Sequence, residues 1–204
     1  KAELKYLGGT AQEAFIYDPL ASSGISDIFL QPLVSEEIEV KNLNLLYTSP
    51  YIENLTLHNF GNSGYNLETK NIKSLSMSNY EQWGPYFLTD SFQTNSQFKS
   101  IEITDSCCFL NLSFIHLQNS LEILTIDHCQ LIDQDLIDIL FILDRGYLPK
   151  LKSLNLSGNY FNYQSISQLS EWINSEKCIL EKFVLGYINL KEFSCLAKAL
   201  KNKA

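Results

Sequence analysis

The segment Leu151-Lys-Ser-Leu154-Asn-Leu156-Ser-Gly-Asn159-Tyr-Phe161 sets apolar side chains at its first, fourth, sixth and eleventh positions and an asparagine at its ninth. The same spacing stands at Leu121, Leu124, Ile126, Cys129 and Leu131, 30 residues upstream, and at Leu180, Phe183, Leu185, Ile188 and Leu190, 29 residues downstream. Apolar residues alternating at positions four and six mark a short strand with one buried face. Four such side chains stabilise one copy by a gross ~6–12 kcal/mol, at about 1.5–3 each. Fixing the backbone of more than about twenty residues costs more than that. No copy folds alone, and successive copies must stack to share a core. A chain built this way presents a surface rather than a pocket, so the first question is what it binds.

Weaker copies precede the clear ones. Phe98, Ile101, Ile103, Ser106 and Cys108 keep the spacing, as do Ile72, Leu75, Met77 and Tyr80, and Ile52, Leu55, Leu57 and Phe60. Ile38, Val40, Leu43 and Leu45 are an expected opening turn, with Ser35 at its first position. The first positions are spaced 17, 20, 26, 23, 30 and 29 residues apart, irregular early and settled late. The longer late copies leave room for helices, expected at 134–143 with Asp133 as N-cap, at 164–174 and at 192–200. Their inward stripes read as Leu136, Leu140 and Leu143, then Ile166, Leu169 and Ile173, then Phe193, Leu196 and Leu200.

The pattern L-x-x-L-x-L-x-x-N-x-L, with periods of 29–30 and a helix in each late copy, resembles the ribonuclease-inhibitor-like leucine-rich repeats. The resemblance covers residues 121–200 closely and 35–120 loosely. It implies an α/β solenoid: a right-handed superhelix with a parallel sheet on its concave face and helices on the convex face of the C-terminal repeats. Residues 35–204 then form the repeat domain, of about six to seven repeats and irregular before 98. Residues 1–34 match no repeat and read as an N-terminal cap or the end of a preceding domain. The family places Asn or Cys at position nine to satisfy the bend after the strand. Here that position runs Leu43, Phe60, Tyr80, Ser106, Cys129, Asn159 and Ile188, so only Asn159 offers a full amide, and Ser106 and Cys129 a partial substitute.

Composition narrows the function classes. The net charge of -8 opposes nucleic acid as partner, and Arg145 is the only arginine, which leaves little for bidentate phosphate or carboxylate recognition. Some repeat proteins of this type activate small GTPases, a role for which one arginine is a poor endowment. Five cysteines (Cys107, Cys108, Cys129, Cys178, Cys195) cannot all pair, lack C-x-x-C spacing and read as reduced thiols, which points to an intracellular protein. The longest apolar run, Ile139 to Leu143, is too short to span a membrane. The chain starts at Lys1 rather than methionine, so a piece of a longer protein is expected. Phosphate-loop, dinucleotide, nucleophile-elbow and zinc-protease motifs are all missing, and no cofactor or metal is expected.

The residues between and just after the inward aliphatics are expected on the exposed concave face. As partner-binding residues we single out Glu39, Thr56, His58, Asn59, Ser78, Asn79, Glu102, Asp105, Asp127, His128, Asn155 and Tyr187. Asp105 and His128 hold equivalent places in neighbouring copies, close enough to expect a hydrogen bond between them. A catalytic centre also needs a nucleophile, an oxyanion donor and a water-excluding pocket, which an open sheet does not supply. The Ile139–Leu143 helix and the aromatic excursion around Trp83, Tyr86 and Phe87 are alternative contact surfaces.

The expectation is a non-catalytic, monomeric protein-interaction module with a protein partner. The wealth of Asn, Ile, Lys and Tyr fits an AT-rich genome. A eukaryotic-type repeat in that setting resembles effectors that intracellular bacteria secrete into the host cytoplasm, although protist and fungal proteins share the composition. The alternative is the substrate-recognition arm of an F-box-type ubiquitin ligase, and third an accessory domain of an enzyme whose catalytic part lies elsewhere.

Overall fold

A strand needs only a few alternating residues if its neighbours already present a ladder, and that is how this sheet grows. The computed structural model describes residues 3–7, 27–31, 53–58, 72–79, 97–106, 115–116 and 118–203. Its strands are β1 (Glu3–Leu7), β2 (Asp27–Gln31), β3 (Asn54–His58), β4 (Ser74–Ser78), β5 (Ser100–Thr104), β6 (Ile123–Asp127), β7 (Ser153–Asn155) and β8 (Lys182–Val184). Each pairs in parallel with the next in chain order, making one eight-stranded sheet. The fold is α/β, and unbroken sequential parallel pairing is the arrangement an α/β solenoid requires.

Register carries the apolar positions into continuous rows. Leu55, Leu75, Ile101, Leu124 and Leu154 are successive partners, as are Met77, Ile103 and Ile126. All of these are buried, in one cluster with the helix side chains described below. A single backbone junction recurs beside these rows. The carbonyls of Glu53, Lys73, Lys99, Glu122 and Lys152 each accept two consecutive N–H groups from the next unit, the last from Glu181 and Lys182. Stacking geometry is therefore constant from residue 53 onward although the sequence spacing is not. The extra residues of the longer units lie between junctions.

The sheet also reaches into 1–34, where no repeat was legible: β1 and β2 continue it in register, and β2 pairs directly with β3. The place beside β3 thus belongs to Asp27–Gln31, not to the expected opening turn. Residues 35–45 and the Trp83 excursion lie outside the described residues.

Three helices follow the last three full strands: α1 (Asp133–Asp144), α2 (Tyr163–Asn174) and α3 (Leu190–Lys203). Leu136, Leu140 and Leu143 of α1 and Ile166, Leu169 and Ile173 of α2 are buried, as their spacing predicts. In α3 the expected stripe is wrong. Leu196 is buried, but Phe193 is 60% exposed and Leu200 51%, and the inward residues are Glu192, Leu196 and Ala199. The physical reason is position: α2 covers α1 and α3 covers α2, whereas no described helix follows α3. The Ile139–Leu143 run is likewise core rather than surface, apart from the half-exposed Phe141.

Caps tie the helices to one another. Asp133 is the first residue of α1 rather than its N-cap, and its carboxylate crosses to the next unit, where it accepts from Asn162 N at 2.7 Å and Ser165 Oγ at 2.6 Å. Asn162 caps α2 by accepting from Gln164 and Ser165 N–H. Asn189 does the same for Lys191 and Glu192, while the Glu192 carboxylate accepts in return from Asn189 N and Nδ2.

At the start of α1, burial pushes the Asp135 carboxyl above its ordinary value. The hydrogen bond from Ile132 N–H opposes that rise and nearby Asp138 adds to it. A raised carboxyl pKa contributes stability that is present below the unfolded value and lost as pH rises through the folded one. Asp135→Asn is therefore expected to gain on the parent chain between about pH 3 and pH 7. Paired urea titrations at the two pH values check this, and a constant difference would refute it.

Candidate functional site

On the side of the sheet away from the helices, polar residues stand in rows as regular as the buried ones. Thr56, Ser76, Glu102, Thr125, Asn155 and Val184 are successive register partners along the strand centres. His58, Ser78, Thr104 and Asp127 form a second row at the strand ends. Thus Thr56, Glu102 and Asn155 share one line and His58, Ser78 and Asp127 another, as the spacing implies. Glu39 and Asn59 lie outside the described residues.

A further row went unrecognised in the sequence. Asn54, Ser74, Ser100, Ile123, Ser153 and Lys182 are register partners one step before the buried fourth position. Alternation puts them on the same open face. The signal was present: four of the six are Ser or Asn at a fixed motif position. Within this polar row Ile123 is an exposed aliphatic, 40% accessible.

The residue at motif position eight has a backbone explanation. Asn79, Asp105, His128, Gly158 and Tyr187 all adopt positive φ, between 49° and 69°. The left-handed turn sends the N–H sideways into the next unit: Asn79 donates to the Thr104 carbonyl, Asp105 to Asp127 and His128 to Ser157. Asn, Asp, His and Gly tolerate this conformation better than other residues, which accounts for four of the five. Tyr187 is the exception. A bulky side chain in a left-handed turn is a genuine outlier, and here it is 82% exposed.

Side-chain bonds on the face are local. His58 Nδ1 and Ser78 Oγ are 2.7 Å apart, and Asn155 Oδ1 accepts from Ser157 N at 3.0 Å. His128 Nδ1 pairs with Asp127 Oδ1 at 2.7 Å, not with Asp105 as its place in the repeat suggests. The His128 ring instead lies over Gly158 and meets the edge of Tyr187, two units away, with centroids 5.0 Å apart. Asp127, His128 and Tyr187 therefore form one small cluster around a glycine at the β8 end of the face.

Beneath the face, position nine behaves as its residue types dictate. Asn159 Oδ1 accepts from the N–H groups of Cys129 and Leu131, and Nδ2 donates to the carbonyls of Ile126, Leu156 and Ser157. Cys129 Sγ reaches only two carbonyls, those of Ile103 and Asp127, and Ser106 Oγ bonds Thr104 O. Leu43, Phe60 and Tyr80 lie outside the described residues.

Other groups do not converge on a chemical centre. Among the described residues no three His, Cys, Asp or Glu side chains gather as a metal site would need, and Cys129, Cys178 and Cys195 form no disulfide. Among them, too, no helix is long and apolar enough to cross a membrane. His116 packs edge-on against Tyr147. On the helix side a shallow groove of about 420 Å³ runs between α1 and α2, lined by Ile137, Leu140, Phe141 and Trp172 with Asp144 and Glu171. No family model matches the chain, and no curated protein matches it.

Proposed function

We propose that the chain is a non-catalytic leucine-rich repeat module of the ribonuclease-inhibitor-like kind, and that it binds a protein partner through the open face of its sheet. The observation that carries the reading is the lattice of mostly small polar side chains across β3 to β7 over buried aliphatics. Such a face is rigid, because its backbone is fixed by ladder bonds on both sides. It also pays little side-chain entropy on docking, since Ser, Thr and Asn are short. Glu102, Asp105 and Asp127 give it acidic character, favouring a partner with a basic patch. Tyr187 supplies an exposed aromatic of the sort that anchors interfaces, kept where the backbone would prefer another residue.

The test is affinity capture with the intact chain and with two variants. Glu102→Lys/Thr125→Arg places bulky cations in the middle of the lattice. Tyr187→Asn removes the ring while suiting the left-handed turn better than tyrosine does. Both are expected to keep the parent melting temperature and to lose the captured partner, whereas Lys150→Glu, in an exposed turn elsewhere, keeps it. Retention of every partner by the Glu102→Lys/Thr125→Arg variant would show that the open face is not the binding surface.

A further inference from the structure

The chain has three histidines, and two of them stand on the open face. His58 ends β3, where its Nδ1 lies 2.7 Å from Ser78 Oγ of β4. His128 follows β6, paired through Nδ1 with Asp127 and set edge-to-face with Tyr187. The third, His116, packs against Tyr147 beyond α1. Both open-face rings reach solvent, His58 half-buried and His128 more exposed. Few charges surround them. Beside His128, the turn after β5 carries Asp105, whose N–H donates to the Asp127 carbonyl, and the turn after β7 carries the neutral Ser157 and Gly158. The turn after β8 brings Tyr187. Beside His58, β4 holds no charged residue, and the one charge of β2, Asp27, lies in register with Asn54 at the opposite strand end.

The remaining charges make these two residues decisive. Motif position two forms the rim where the strands begin and reads Glu53, Lys73, Lys99, Glu122, Lys152 and Glu181. Three acids balance three bases there, and Lys73 pairs with Glu53 as Lys152 does with Glu181. The rim adds no net charge. On the face itself, among the described residues, Glu102, Asp105 and Asp127 stand against Lys182 alone, a net charge of -2 with both imidazoles neutral. Protonating both brings that charge to zero. Histidine is the side chain that changes its charge between about pH 5 and pH 8. A second effect is local. Protonated His128 forms an ion pair with Asp127, so the carboxylate is answered within the chain and not by a partner's cation. The charged ring then also stands against Tyr187, the exposed aromatic on which such a cation would stack.

We infer that the open face is an acid-sensitive docking surface, which holds a basic partner at neutral pH and releases it as His58 and His128 take up protons. The inference rests on the proposed role of the face and adds its regulation. No change of fold is needed, because each ring keeps its hydrogen bond in both states. Ser78 Oγ can donate to a neutral His58 or accept from a charged one, and Asp127 accepts from His128 throughout. What changes is the field that the partner meets.

The probe is a labelled peptide of about ten residues, alternating lysine and serine, long enough to cross β3 to β8 at about 4.8 Å per strand. Lysine keeps its charge across the range tested. The peptide is titrated into the intact chain by fluorescence anisotropy at low salt, at about pH 7.5 and pH 5.5. Parent affinity is expected to fall by about tenfold at the lower value. His58→Gln/His128→Asn should bind alike at both, asparagine being chosen because it accepts the left-handed turn at 128. Glu102→Lys/Thr125→Arg should bind weakly at both. Ring-proton resonances of the parent give a second readout. Linkage requires the His58 and His128 titrations to move to lower pH when the peptide is bound, while that of His116 stays in place. Equal parent affinity at the two pH values, with binding still lost in Glu102→Lys/Thr125→Arg, overturns the inference and leaves the face as the binding surface. A pH-dependent fall that persists in His58→Gln/His128→Asn overturns it too, as do imidazole titrations that ignore the peptide. Binding that survives Glu102→Lys/Thr125→Arg, or no binding at neutral pH, counts against the face itself and removes the inference with it.

Discussion

Asn159→Ala is expected to lower the unfolding free energy by about 3–5 kcal/mol, from several buried backbone groups each costing about 1–3 when left unpaired. The side chain is 7% accessible and serves five backbone groups at once. Three of them, Cys129 N–H, Leu131 N–H and the Ile126 carbonyl, belong to the preceding unit, so the amide fastens two turns together as well as shaping its own. The figure lies above the 1–3 kcal/mol that a single lost amide would suggest, because truncation strands donors and acceptors in both units. Asn159→Asp separates the two halves of the role. Its carboxylate can still accept from Cys129 and Leu131, but the other oxygen then faces the carbonyls of Ile126, Leu156 and Ser157, which were receiving N–H bonds. That repulsion raises the carboxyl pKa in the folded state. The deficit is therefore fully present above the raised pKa and shrinks as pH falls and a proton restores a donor. Urea titrations of the parent and both variants at about pH 7 and pH 4 decide the matter. A pH-independent deficit for Asn159→Asp would mean that the donor side is unimportant.

Legibility of the fold followed the length of the pattern. β3 to β8 were readable because apolar residues at positions four and six came with an anchor at position one, joined from β5 onward by another at eleven, and register then placed the open-face residues. α1 and α2 start within a residue of their expected positions, since their apolar stripes are long enough to fix a helical period. β1 and β2 were not readable. Leu4 and Tyr6, or Ile28 and Leu30, alternate over only five residues, and what makes them strands is pairing with a neighbour already in place. The exposure of Phe193 and Leu200 was hidden for a related reason: a stripe shows which residues an element can bury, and the neighbouring element determines whether it does. For the site, position eight was the ambiguous one. Asn79, Asp105 and His128 read as polar contact residues, yet Asn, Asp, His and Gly at one fixed place also spell a left-handed turn. His128 pairs with Asp127, its neighbour in sequence on the same turn, and not with its counterpart Asp105 in the preceding unit.

Gly158→Ala is expected to destabilise by about 2–3 kcal/mol, of which about 1–2 is the cost of holding an L-residue in the left-handed region. The glycine has φ +69°, and an added Cβ would stand 2.4 Å from His128 Cγ and 2.5 Å from Nδ1. Backbone and ring therefore act together, and they can be told apart. The His128 side chain is 44% accessible, so its ring can swing outward. In doing so it would give up the Asp127 pair and the edge contact with Tyr187. An aromatic edge contact of this kind is worth about 0.5–1.5 kcal/mol. In a double-mutant cycle, His128→Ala should make the Gly158→Ala step cheaper by about 1 kcal/mol, leaving the backbone part behind. Gly158→Asn supplies the complement, since asparagine accepts positive φ but still carries a Cβ. It should therefore clash like alanine in the parent and be nearly tolerated when His128 is alanine. Additive effects across the cycle would show that the ring does not depend on the glycine. The Asp127, His128 and Tyr187 cluster would then be an accidental neighbourhood rather than a built one. Coupling of the expected size would instead mean that Gly158 holds the exposed Tyr187 ring in place through His128, linking the turn geometry of one unit to the contact surface of another.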